Sequence, residues 1–379
     1  MPRAALALLF LLAGPVAAQE PRTPAEAANY AVASRHADVV AFGEALAKRS
    51  PRLKASTFGT SHEGRALPLW VLADPPVATP ADAKGKLVVL AFANIHAGEI
   101  DGKEALCALA RDLATAEDAP LLKELVVLVV PILNADGNEK IDPKNRPREP
   151  NPAGGVGTRE NAQGFDLNRD FVKLESPEVR ALVKLLTDWD PRVVIDCHTT
   201  NGSKHRWTLT HDGPRYPSTD TELARFTHAT FLPEVGRKVK AATGFDTGPY
   251  GNFNSDRTRW ETYPALPRYG VQYVALRGRI GLLSESYSYA PFRDRVTASG
   301  AFVTACLEAA AARKDAVREA TNAAAATLPL RTATEAVPGK LTVPGFETDA
   351  PKDFALDGII ADVAGLAASR SRSCARRSS

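Results

Sequence analysis

Two residues able to bind metal, His96 and Glu99, stand three apart in Asn94-Ile95-His96-Ala97-Gly98-Glu99. They lie between the apolar run Leu87-Val88-Val89-Leu90-Ala91-Phe92 and an Ala- and Leu-rich stretch that reads as a helix. An imidazole and a carboxylate placed this way at the end of a strand can grip one cation. Zinc accepts His nitrogen and carboxylate oxygen, and a catalytic zinc site uses three protein ligands and leaves a fourth position for water. This stretch offers two. The best candidate for the third is His198, which ends a second apolar run, Arg192-Val193-Val194-Ile195-Asp196-Cys197-His198, and so falls at the same edge of a sheet. Open α/β sheets hold their ligands beyond the carboxyl ends of the strands.

The flanking text supplies elements to position these residues. From Ala25 to Ala47 apolar residues recur at helical spacing, with Pro24 just inside the start and Ser50-Pro51 closing the segment. Ala55 to Thr60 and Leu67 to Leu72 flank the turn Ser61-His62-Glu63-Gly64-Arg65 and predict an antiparallel hairpin, with His62 a solvated turn residue. A helix is expected from Glu99 to about Ala116, and Leu125 to Val130 gives a strand that stops at the turn signal Asn134-Ala135-Asp136-Gly137. The long Pro-, Gly-, Asn- and Arg-rich loop 138–165 reads as functional, because it leads into Asp166-Leu167-Asn168-Arg169. Ser176-Pro177-Glu178 starts a helix that runs to Trp189 before the His198 strand.

Beyond His198 the pattern weakens. A helix over about 221–242, a loop-rich stretch 247–268, a last strand Arg279 to Glu285 and a long helix over about 292–319 are expected. Strand and helix alternate, which predicts an α/β fold: a three-layer α/β/α sandwich around a mixed, largely parallel central sheet. There is no internal repeat.

The ends read differently. Arg3, the apolar stretch Ala4 to Leu12 and the small residues Val16-Ala17-Ala18 before Gln19 form a three-part signal peptide over residues 1–18. An exported protein, periplasmic or secreted, is the expectation. No apolar run approaches the roughly 20 residues of a membrane span. One catalytic domain is placed over 25–319, and 320–379 is read as a poorly ordered tail, with a shifted reading frame as a second explanation of the Ser-, Arg- and Ala-rich end. The net charge of +3 includes Arg3 and the tail residues Arg370, Arg372, Arg376 and Arg377; without these five the body carries −2. That removes the electrostatic argument for a nucleic-acid partner. Cys107, Cys197, Cys306 and Cys374 are far apart and read as buried free thiols rather than a disulfide framework.

The ordered set of motifs resembles the zinc carboxypeptidases. The likeness runs from the hairpin Gly59–Leu72 through His96-Ala97-Gly98-Glu99, Asp166-Leu167-Asn168-Arg169 and Asp196-Cys197-His198 to Leu283-Ser284-Glu285, roughly residues 25 to 315. It implies that His96, Glu99 and His198 bind one zinc ion, and that Asp166 orients a ligand histidine. Glu285 is implied as general base; a carboxylate ending an apolar strand would be costly without such a role. Arg159 resembles the arginine that stabilises the oxyanion, with Arg146 and Arg148 as rivals. Asn168 and Arg169 resemble the pair that holds a terminal carboxylate, a task suited to a guanidinium fork. A mobile tyrosine is implied among Tyr263, Tyr269 and Tyr273.

The activity implied is release of C-terminal amino acids from a peptide substrate with a free carboxylate. A cell-wall peptide amidase on the same site, deacylation of a small amino-acid derivative, and a catalytically inactive peptide-binding protein on the same fold are the alternatives.

Overall fold

The computed structural model describes residues 21–327; the expected signal segment, the tail beyond 327 and Cys374 lie outside the described residues. Helices α1 (Pro24–Ala27) and α2 (His36–Arg49) lead into the hairpin β1 (Leu53–Thr60) and β2 (Ala66–Leu72). Then come β3 (Leu87–Ala93), α3 (Asp101–Thr115), α4 (Pro120–Glu124), β4 (Leu125–Val130), α5 (Ala135–Glu139), α6 (Pro177–Trp189), β5 (Val193–Thr199) and β6 (Leu209–Asp212). The rest comprises α7 (Thr221–Phe226), α8 (Leu232–Thr243), β7 (Thr247–Pro249), the short pair β8 (Asn252–Phe253) and β9 (Trp260–Glu261), α9 (Gly270–Leu276), β10 (Ile280–Ser286), α10 (Phe292–Ala312) and α11 (Lys314–Thr327).

Eight strands form one sheet in the order β1-β2-β4-β3-β5-β10-β6-β7. Its centre, β4-β3-β5-β10, is parallel, and the pairings β1 to β2, β2 to β4 and β10 to β6 are antiparallel. The expected mixed sheet is therefore observed. Parallel strands must be covered on both faces, and their sequences are accordingly unbroken apolar runs. Alternate residues serve opposite cores. Leu87, Val89 and Ala91 pack with Leu106 and Leu109 of α3 and Phe302 of α10. Val88, Leu90 and Phe92 pack with Val179, Leu182 and Leu186 of α6 and Val274 of α9. These are the three layers of the sandwich.

Several boundaries differ from the expectation. The helix foreseen over Ala25–Ala47 is interrupted, because Asn29 and Tyr30 take left-handed backbone angles and the chain restarts at His36. Asn134 does not merely turn the chain; its side chain accepts a hydrogen bond from the Gly137 amide and caps the short helix α5. The helix expected over 221–242 carries a π-turn between α7 and α8. The terminal helix breaks after Ala312 and resumes to Thr327, with Val317, Thr321 and Ala324 buried, so ordered structure passes the expected limit at 319. Cys107, Cys197 and Cys306 are free and buried, as expected.

The strands β6 to β9 and the helices α4, α5 and α9 were not foreseen. The strands and the first two helices are too short to show a period. Helix α9 lies in text dominated by tyrosine and valine, and it packs so close to β10 that a Cβ at Gly281 would meet the Val271 carbonyl oxygen at 2.4 Å. Backbone cannot yield cheaply there. Gly281→Ala is therefore expected to destabilise the fold by about 1 to 3 kcal/mol, the usual cost of overpacking. Urea denaturation checks this: a variant that unfolds at the wild-type midpoint rules out the close approach.

Candidate active site

The carboxyl ends of β3, β5 and β10 meet at one cavity of about 300 Å³. After β3 the chain turns sharply at Asn94, whose φ of 61° Asn tolerates better than most residues. Its side-chain amide donates to the Ala97 carbonyl at 3.2 Å. The amide of Glu99 bonds back to the carbonyl of His96 at 2.9 Å, which brings their side chains to one side. On β5, Asp196 and His198 alternate with Cys197 and share a face. On β10, Glu285 pairs in register with His198, so the inter-strand spacing alone sets them about 4.8 Å apart along the sheet.

His96, Glu99 and His198 are all buried, and one donor atom from each lies within 4.8 Å of the others. The contacts orient both rings. Nε2 of His96 lies 3.0 Å from Asp166 Oδ1, and Nε2 of His198 lies 2.9 Å from Asp196 Oδ1. A proton on each Nε2 leaves both Nδ1 atoms as lone-pair donors. Yet Nδ1 of His96 faces Glu99 Oε1 at 3.1 Å, and Nδ1 of His198 faces Glu99 Oε2 at 2.8 Å. Acceptors held this close to acceptors are relieved by a proton or by a metal ion among them. Two neutral imidazoles and a carboxylate are a donor set that zinc takes, so the residues present fit the ion.

Asp166 caps the turn Leu167–Arg169, accepting the Asn168 amide at 3.0 Å while its other oxygen lies 2.8 Å from Arg159. Burial alone would push its carboxyl up. The hydrogen bond from His96, with the charges of Arg159 and Arg169, outweighs that and holds it well below the usual carboxylate range. Glu99 behaves likewise: burial opposes ionisation, and His96, Arg146 and His198 hold it far down.

Arg159 lines the cavity, about a third exposed, with a guanidinium nitrogen 3.2 Å from Nδ1 of His96. Its rivals do not. Arg148 is exposed on the loop, and Arg146 is turned inward, beneath Glu99. Asn168 and Arg169 both line the cavity. Asn168 accepts the Gly270 amide at 2.9 Å and lies 3.4 Å from Nε2 of His198, while the Arg169 guanidinium stacks 4.4 Å from the centre of the Tyr269 ring. Of the three tyrosines, Tyr263 and Tyr269 line the cavity; Tyr273 is buried against Phe171, is not among the lining residues and is set aside. Tyr250 was missed. It sits in Gly248-Pro249-Tyr250-Gly251, just past β7, with no pattern to mark it, yet its phenol lines the cavity and is pushed up, first by the Glu285 charge and then by burial.

A family model described as zinc carboxypeptidase matches residues 39–244 of the chain. Among curated proteins, the chain is 27% identical over 201 residues to "Probable carboxypeptidase 2" of Arthroderma benhamiae, covering 50% of this chain and 35% of that protein. It is 35% identical over 182 residues to "Carboxypeptidase D" of Mus musculus, covering 39% of this chain and 13% of that one. The chain thus spans about a third or less of the length of these relatives. Solved structures share the fold. A metallo-carboxypeptidase from Burkholderia cenocepacia gives a TM-score of 0.54 at 20% identity, over 73% of this chain and 69% of that one. A Pseudomonas aeruginosa metallo-carboxypeptidase in complex with (2-guanidinoethylmercapto)succinic acid gives 0.54 at 18%, over 76% and 70%.

Glu285 offers a direct test of this geometry. Burial pushes its carboxyl up from 4.5 to about 8, with the Glu99 and Asp196 charges adding and His198 and Arg146 opposing. A carboxyl raised on folding gives stability that is complete below its unfolded value and is lost as pH rises through its folded value. Metal-free Glu285→Gln lacks that loss. Its stability relative to the metal-free wild type is expected to grow between about pH 5 and about pH 8 in urea denaturation; a difference that stays constant with pH places Glu285 in water instead.

Proposed function

Because the chain belongs to the zinc carboxypeptidase family, we propose that it removes C-terminal amino acids from peptides, with one zinc ion held by His96, Glu99 and His198. The observation that carries the reading is the convergence, in one cavity, of three zinc-type donors, a buried carboxylate in register with one of them, and an Asn-Arg pair.

The substrate's carboxylate pairs with Arg169, whose planar fork matches two oxygens, and Asn168 adds an amide donor. Stacking on Tyr269 fixes the plane of that fork. A zinc ion in this site supplies Lewis acidity and lowers the pKa of water towards about 7. Glu285 takes the proton of the attacking water and passes it to the departing amine. A base whose affinity for the proton has been raised by burial serves both halves of that transfer. Arg159 faces the carbonyl oxygen as negative charge develops on it, so its guanidinium stabilises the oxyanion. Asp166, by holding Nε2 of His96, keeps the ring in the tautomer that leaves Nδ1 free.

We also place the protein outside the cytoplasm, periplasmic or secreted, on the strength of the segment 1–18. Among the described residues no helix is long and apolar enough to cross a membrane.

Three outcomes are expected. A mixed peptide library incubated with the wild type releases free C-terminal residues, and the same peptides amidated at that end resist, since Arg169 has no carboxylate to grip. Glu285→Gln keeps its zinc and loses about 10² to 10⁴ in kcat; full activity in this variant, measured on the zinc-loaded protein, removes Glu285 from the mechanism. N-terminal sequencing of protein recovered from the cell exterior or periplasm begins at Gln19; a cytoplasmic protein with an intact N-terminus contradicts export.

A further inference from the structure

Beneath the metal ligands lies a buried ionic layer with no part in the chemistry above. Arg146 sits on loop 138–165, with a left-handed φ of 53°, and its side chain is 17% exposed. Its guanidinium donates to Glu99 Oε1 at 3.1 Å and to the carbonyls of Thr199 and Thr200 at 3.1 and 2.7 Å. A fourth side is closed by Glu149, 2.6 Å away. Glu149 in turn lies 3.6 Å from Arg295 of α10, which is anchored by Asn151 at 2.8 Å and by Asp101 at 3.4 Å.

The chain makes room for this guanidinium. A Cβ at Gly98 would stand 2.9 Å from Arg146 Cδ and 2.9 Å from the Gly157 carbonyl oxygen, so only glycine between His96 and Glu99 lets Arg146 pass beneath them. Three of its four contacts are to groups other than Glu99, so its position is set independently of that carboxylate.

We propose that Arg146 is a positioning residue of the metal site: it fixes the plane of the Glu99 carboxylate so that this ligand meets the two histidines in one orientation. The inference rests on the zinc reading given above. The other oxygen of Glu99 is held by the Thr199 amide at 3.1 Å, so the carboxylate is pinned from both ends. Arginine suits the task because its rigid fork reaches several acceptors at once and keeps its charge; lysine has a point charge on a flexible stem.

The sign of the effect separates positioning from plain electrostatics. A cation beside a zinc site repels the metal, so by Coulomb's law alone Arg146→Met should tighten zinc binding and Arg146→Lys should leave it unchanged. Positioning demands the reverse. Loss of a partner that orients a ligand costs about 10- to 100-fold in metal affinity.

The experiment strips the wild type, Arg146→Met and Arg146→Lys of metal and titrates Zn²⁺ against a chromogenic chelator at neutral pH. Circular dichroism and thermal melting of the metal-free proteins report the fold. Both variants are expected to be folded and to bind zinc about 10- to 100-fold more weakly than the wild type. If Arg146→Met does not fold, Arg146→Lys carries the test alone. Zinc affinity within about twofold of wild type in Arg146→Lys, or tighter binding in Arg146→Met, overturns the proposal. A wild type that binds no zinc removes the metal-site reading itself, an outcome distinct from both.

Discussion

An ionised carboxylate taken out of water is stable only with hydrogen-bond donors or opposite charge around it, and this site buries several within one sheet edge. Asp101 shows how the requirement shapes the fold. It begins α3, two residues after Glu99, and its Oδ2 accepts the hydroxyls of Thr199 at 2.6 Å and Ser286 at 2.7 Å. Thr199 follows His198, and Ser286 follows Glu285. One buried carboxylate therefore ties together the three segments that carry the site, and satisfying it is the same act as assembling them.

The sheet does the remaining alignment. Because β5 and β10 are parallel and in register, Glu285 and His198 are neighbours by construction, and no loop has to find its place for the two side chains to meet. The arginines of the site are held less rigidly. Arg159 and Arg169 rise from irregular chain and are each about a third exposed, whereas Glu99, His198 and Glu285 are buried at the ends of regular elements. The division suits a reaction in which the reacting centre stays fixed while substrates vary.

Much of this was legible in the sequence for physical reasons. Strands buried on both faces must be apolar throughout, so β3, β4, β5 and β10 announced themselves, and with them the positions of His96, Glu99, His198 and Glu285 at their ends. Caps and breakers marked α6 in the same way. What stayed hidden were features set by tertiary contact. The left-handed turn at Asn29 and Tyr30 interrupts an otherwise helical pattern. Tyr250 is brought to the cavity by a strand of three residues. Arg146, Arg148 and Arg159 are alike on one loop, and only folding sends the first beneath Glu99, leaves the second in solvent and turns the third towards the cavity. Asp101 gave no signal, since an acidic residue in the first turn of a helix is ordinary.

The cavity's dimensions carry a further meaning. At about 300 Å³ it lies at the small end of the range for ligand sites, and the Arg169–Tyr269 stack stands in its wall beside the metal cluster. On the proposed reading such a chamber suits a loose chain end, whose carboxylate reaches the Arg169 wall. Folded proteins whose termini are packed away present no such end. Selection of substrates then depends as much on the freedom of their tails as on the residue each tail ends with, and the enzyme's own well-packed strands are safe from it.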